Sequence, residues 1–186
     1  MPRARTVSFL RAALVAALVS AGALVTLPVG PVPVTLQVLA IAVAVLVLSP
    51  AEAFLALALY LALGFVGMPV FSGGGAGLGV LVGPTGGFLM GFVVGAPLAS
   101  LARRMVAHLT GGTIRADVTA LLVLLSVTYL AGWAHFAVVS GRSAAEAFGL
   151  AVAPFVLVDA AKGAAALVVA RAVRAAGLGD GHRTAR

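Results

Sequence analysis

Apolar positions run through this chain in long blocks, and charged ones fall in short clusters between them. Residues 12–51 carry no Asp, Glu, Lys or Arg, and neither do residues 53–102. A membrane-spanning helix needs about 20 apolar residues, so each window holds two spans and a turn. The pattern predicts six helices, at about 7–27, 35–49, 52–70, 86–106, 117–139 and 154–175. Pro28, Pro31 and Pro33 punctuate the first turn, Ser49-Pro50 the second, and Thr110-Gly111-Gly112-Thr113 the fourth. The expected fold class is all-α, an integral membrane bundle of six transmembrane helices. It forms one domain over residues 1–176, and residues 177–186 read as a polar, disordered tail.

Composition strengthens this picture. Of 186 residues, 62% are hydrophobic and 9% charged, where a soluble domain carries about 25% charged residues. The net charge of +7 raises the question of nucleic acid, but the placement of the charges argues for a bilayer as the partner instead. Arg3, Arg5 and Arg11 open the first span, Arg103, Arg104 and Arg115 surround the fourth turn, and Arg171, Arg174, Arg183 and Arg186 close the chain. A six-span chain puts these on one side, leaving Arg142 outside and Lys162 within a span. By the positive-inside rule that side is cytoplasmic, so both termini are cytoplasmic and the protein sits in the cell (plasma) membrane. The N-terminus imitates a signal peptide, but its apolar run continues to about Val29, which favours a retained first helix. The absence of cysteine excludes disulfides, Cys-zinc sites and thiol catalysis.

The most flexible stretch is MPVFSGGGAGLGVLVGPTGG, residues 68–87, with eight glycines and no charge. It falls in the connection between the third and fourth spans, on the outer side. No lysine follows in a phosphate-cradle pattern. Irregular backbone at membrane depth survives only where protein buries it or where it lines a cavity. The stretch is therefore a candidate lid over a pocket, the alternative being a plain connector. Phe71, Gly73, Gly74, Gly75, Thr85 and Gly86 are its candidate ligand contacts, since glycine lets backbone approach a ligand closely.

Asp159 and Lys162 stand within the last apolar span, three residues apart and so on one helical face. Charges inside a span are costly and usually face a cavity or each other. They read as a ligand site, the alternative being a structural pair. Lys supplies three donors and a positive charge, suited to a carboxylate; Asp accepts, suited to an amide or urea N–H. Thr35 is placed to cap the second helix, and Gln37 follows it. Tyr60 and Tyr129 are candidates for stacking or hydrogen bonding. Trp133 and His135 read as interfacial residues at a membrane boundary. No carboxylate pair, His cluster or Ser–His–Asp set suggests an enzyme, and no metal or cofactor is implied. Ala13, Ala17 and Ala21 form a small-residue stripe suited to a partner helix or to internal packing. Gly87, Gly91 and Gly95 form another, assigned to packing inside the bundle.

Three stretches together, VPVTLQVLA (32–40), YLALGFVGMPVFSGGGAGLGVLVGPTGGFLMGF (60–92) and PFVLVDAAKGAAA (154–166), resemble the BioY family, the biotin-binding substrate components of energy-coupling-factor transporters. The resemblance implies six helices and a biotin pocket near the outer face under loops. It implies docking on a transmembrane coupling subunit driven by two ATPase subunits, with Ala13, Ala17 and Ala21 meeting the coupling subunit. Asp159 and Lys162 match the family's D-x-x-K. The family has Pro-Gly just before that Asp, where this chain has Leu157-Val158, and Tyr where Phe88 stands. The function expected is a high-affinity biotin-binding importer component. The alternatives are a component for another small carboxylate-bearing vitamin and a structural membrane protein outside transport.

Overall fold

The computed structural model describes residues 2–177; the expected tail beyond Gly177 lies outside the described residues. Eight helices follow one another: α1 Pro2–Leu24, α2 Gln37–Val47, α3 Pro50–Phe65, α4 Leu78–Val82, α5 Gly86–Thr110, α6 Thr113–Ser140, α7 Ala144–Ala151 and α8 Val156–Ala175. Between α1 and α2 the chain makes a small antiparallel pair, β1 Thr26–Leu27 and β2 Val34–Thr35, with Thr26 opposite Thr35. Single 3-10 turns lie at Ser72–Gly74 and Ala153–Phe155.

Among the described residues, four stretches are long and apolar enough to cross a membrane: Arg5–Leu24, Gly86–Thr110, Thr113–Ser140 and Ala144–Ala175. The second and third predicted spans are shorter than expected, at 11 and 16 residues. Each has a local cause. Val34 and Thr35 are held in the strand pair, so α2 starts only at Gln37. Thr35 is therefore not its N-cap, a position taken by Leu36. Helix α3 starts at Pro50 because Ser49 caps it: the Ser49 hydroxyl accepts the Glu52 N–H, and the Glu52 carboxylate accepts the Ser49 N–H. That start is earlier than the expected 52, so the shortening lies at the other end, where the helix stops at Phe65, short of Pro69, which disfavours helix in the residue before it.

Two further helices were not expected. The glycine-rich connection is not structureless but carries the 3-10 turn and α4. The fifth connection carries α7, started by a second capping box, Ser143 with Glu146.

The core is built largely from small residues. Ala12 and Ala16 of α1, Ala53 and Ala56 of α3, Ala96 and Ala99 of α5, and Ala166 and Ala170 of α8 are all buried. Large apolar side chains such as Leu14, Leu122, Leu130 and Val168 point outward, as a lipid-facing surface requires. The stripe Gly87, Gly91, Gly95 packs on α6 as expected. A Cβ at Gly91 would lie 2.8 Å from the Thr128 Cα, so only glycine permits this crossing. Of the alanine stripe on α1, Ala13 is half-buried while Ala17 and Ala21 are exposed.

The bundle has two chemically distinct ends. At one, the buried Asp117 of α6 accepts from Arg103 Nε of α5 at 2.7 Å and from both terminal nitrogens of Arg174 of α8 at 2.9 and 2.6 Å. The other end carries the strand pair, the glycine-rich segment, α4 and α7.

Candidate ligand-binding site

At that second end a cavity of about 60 Å³ lies between α2, α5, α6 and α8, with the glycine-rich segment forming part of its wall. Its apolar walls are aromatic and aliphatic: Phe88, Leu89 and Phe92 from α5, Phe155 from the turn before α8, and Val38 from α2.

On the α2 side the polar groups come from the junction of strand and helix. The Thr35 hydroxyl donates to Gln37 Oε1 at 3.0 Å and accepts the Gln37 N–H at 3.3 Å. Gln37 Nε2 donates to the Tyr60 hydroxyl. Tyr60 in turn meets Phe71 edge-on, with ring centroids 5.5 Å apart. Gln37 and Tyr60 are 4% and 1% exposed; buried polar groups of this kind need partners, and here each holds the other.

Across the cavity, α8 begins with Val156 after the 3-10 turn. Asp159 therefore stands in its first turn, and not one and a half to two turns in, as the predicted start at 154 implies. That position favours an anion, because the helix N-terminus presents free N–H groups and a partial positive charge. Lys162 Nζ donates to Asp159 Oδ1 at 2.7 Å, and the Tyr129 hydroxyl of α6 donates to Oδ2 at 2.7 Å. The Asp159 and Lys162 side chains are 4% and 10% exposed. The two charges thus neutralise one another and face the cavity together.

The glycine-rich segment covers the site with side chains, not with its glycines. Phe71, Ser72, Val80 and Thr85 line the cavity. Gly73, Gly74, Gly75 and Gly86 do not; they shape the turns that present those four. The segment is fastened at two points. Thr26 of β1 accepts the Gly73 N–H at 3.1 Å and lies 3.2 Å from the Ser72 hydroxyl. His135 of α6 lies 3.0 Å from the Gly83 carbonyl. His135 and Trp133, which donates to the Ala144 carbonyl at 2.8 Å, hold connections in place and lie outside the cavity lining.

Of the residues singled out in the sequence, Thr35, Gln37, Phe71, Thr85, Tyr129, Asp159 and Lys162 converge on one cavity, and Tyr60 backs it through Gln37. Val32, Pro33, Val38, Ser72, Val80, Phe88, Leu89, Phe92, Thr128 and Phe155 line it as well; of these the sequence marked only Pro33, as a turn residue, and Phe88, as a departure from the family's Tyr. Thr128 is distinctive: its hydroxyl is buried and has no hydrogen-bond partner. Among the described residues no group of three or more His, Cys, Asp or Glu could hold a metal. The arrangement suits a small amphiphilic molecule: an apolar body between aromatic walls and polar groups at fixed points.

Comparison with known proteins points the same way. Residues 1–178 match the BioY family. A probable biotin transporter BioY of Pyrococcus horikoshii is 38% identical over 85% of this chain and 90% of its own length. The biotin transporter BioY2 of Lactococcus lactis is 36% identical over 81% of this chain and 80% of its own. A crystal structure of the S-component for biotin from an ECF-type ABC transporter superposes with a TM-score of 0.84 over 94% of both chains, at 21% identity, a likeness of fold.

Proposed function

This chain belongs to the BioY family, and on that premise we propose that it is the biotin-binding substrate component of an energy-coupling-factor importer. It is a multi-pass membrane protein and not an enzyme. Biotin seats in the cavity beneath the glycine-rich segment. The end carrying that segment faces outward, and both termini are cytoplasmic. The exposed Ala17 and Ala21 of α1 meet the transmembrane coupling subunit, which two ATPase subunits drive. Biotin combines an apolar body, a carboxylate and a cyclic urea, which matches aromatic walls with discrete polar groups.

The observation that carries the reading is the Asp159–Lys162–Tyr129 cluster facing an otherwise apolar cavity. Its geometry also refines the expected roles. Sequence alone suggests the carboxylate for Lys162 and the urea for Asp159. At 2.7 Å apart, the two side chains serve the same end of a ligand. A carboxylate arriving at Lys162 would meet the Asp159 charge beside it. A cyclic urea offers an N–H to Asp159 and a carbonyl oxygen to Lys162, which has two donors left. The urea therefore binds this pair, and the carboxylate points away from Asp159. Ligand pockets span roughly 300–1,000 Å³, well above the 60 Å³ here, so the glycine-rich segment shifts to admit biotin.

Biotin titration of the purified protein tests this. The wild type should bind, and Lys162→Ala should weaken biotin and biotin methyl ester by the same factor, on the order of 30-fold or more, as expected for truncating one partner of a buried charge pair. A methyl ester that ignores the substitution would return Lys162 to the carboxylate. No binding of biotin by the wild type would defeat the function itself.

A further inference from the structure

Thr128 lies in the interior of α6 and lines the cavity. It is 2% exposed, and its Oγ1 has no hydrogen-bond partner. Among the described residues one other buried side-chain atom shares that state, Glu52 Oε1, and the other oxygen of that carboxylate is bonded to Ser49. A Ser or Thr inside a helix usually returns its hydroxyl to the carbonyl four residues back. Ser20, Thr110, Thr119 and Ser140 all do so here, at 2.7–2.9 Å. Thr128 does not. Its Cα is pressed against Gly91 of α5. A buried hydroxyl left unpaired is costly, and such groups in a native fold call for an explanation.

We propose that Thr128 is a ligand-contacting, specificity-determining residue whose hydroxyl donates to the urea oxygen of biotin. This rests on the biotin reading above. Three facts choose the urea oxygen. Thr128 and its chain neighbour Tyr129 both line the cavity, and Tyr129 is bonded to Asp159, so the Thr128 backbone stands at the same level of the bundle as the Asp159–Lys162 pair. Asp159 is the only carboxylate lining the cavity among the described residues and takes the ligand's N–H. The group beside a urea N–H is its carbonyl, whose oxygen has two lone pairs: Lys162 meets one and Thr128 the other. The hydroxyl that no protein group satisfies gains a partner when the ligand arrives. It therefore discriminates against ligands lacking that acceptor, because a site built around a polar partner rejects analogues that leave it unpaired.

The test is a titration of biotin and 2-thiobiotin, whose sulfur accepts hydrogen bonds poorly. It uses wild type, Thr128→Val and Thr128→Ser, each checked for a melting temperature no lower than that of the wild type. Thr128→Val keeps the shape and removes the hydroxyl. It should weaken biotin on the order of tenfold, leave 2-thiobiotin nearly unchanged, and so narrow the wild-type preference between them by that factor, the remainder resting on Lys162. Thr128→Ser should keep that preference. Undiminished biotin binding by Thr128→Val would overturn the proposal while leaving the biotin reading intact, and so would an equal loss for both ligands. A wild type that binds neither would sink both.

Discussion

Two buried aspartates do opposite work in this bundle. Asp117, 1% exposed, is enclosed by two guanidiniums that use up both its oxygens. Arginine's planar fork makes such an arrangement rigid. Asp159 instead holds a lysine and a phenol, each with capacity to spare, and faces a cavity. The first ties three helices together, and the second, on the function proposed above, receives the ligand. Asp117→Ala would leave two cations uncompensated. The loss should be about 3 kcal/mol, the low end for a broken buried pair, because Arg103 and Arg174 are 16% and 20% exposed. Thermal unfolding in detergent should show the drop, while the folded fraction keeps wild-type biotin affinity. A variant as stable as the wild type would show that the cluster is incidental.

Among the elements, the glycine-rich segment is the one whose role changes between sequence and structure. Gly74 has φ 81°, and no neighbouring atom lies within 4 Å of a Cβ built on it. Space is therefore not what requires glycine; conformation is. The turn it makes directs Phe71, which is fully buried, against Tyr60 and over the cavity. A side chain in the left-handed region costs roughly 1–2 kcal/mol, and more when β-branched. Gly74→Val should weaken biotin binding about tenfold with little loss of expression, chiefly through faster release as Phe71 loses its seat. Equilibrium and stop-flow binding would show it. Unchanged affinity and release would reduce the segment to a connector.

For the molecule as a whole, α1 presents two adjacent alanine faces with different surroundings. Ala12 and Ala16 are buried at 0% and 1% exposure, whereas Ala17 and Ala21 are exposed. Ala16→Trp should prevent folding, since indole has no room in a close helix contact. Ala17→Trp should leave folding and biotin binding intact yet lower biotin uptake in cells that carry the coupling subunit and ATPases. The same helix runs into β1, whose Thr26 holds Ser72 and Gly73 of the glycine-rich segment, so the exposed face and the cavity wall are parts of one connected structure. Uptake at wild-type level would place the docking surface elsewhere.

Long charge-free blocks dictate an all-α membrane bundle, because a bilayer admits little else. That much needs no coordinates. Asp159 and Lys162 were legible for the same reason: a charge inside an apolar span is costly enough to be conspicuous. Asp117 was not, because it lies near a cluster of arginines that the eye assigns to the membrane surface, and only packing brings Arg174 to it across 57 residues. The late start of α2 and the presence of α7 came from local hydrogen bonds, and the early stop of α3 from the approach to Pro69, the Ser143–Glu146 capping box being a signal that the apolar pattern hid. Thr128 marks the sharpest boundary. Its neighbours in sequence are ordinary for a membrane helix, and its significance lies in a missing partner. Whether a hydroxyl is paired depends on how four helices and a lid close around it, which is a property of the tertiary structure alone.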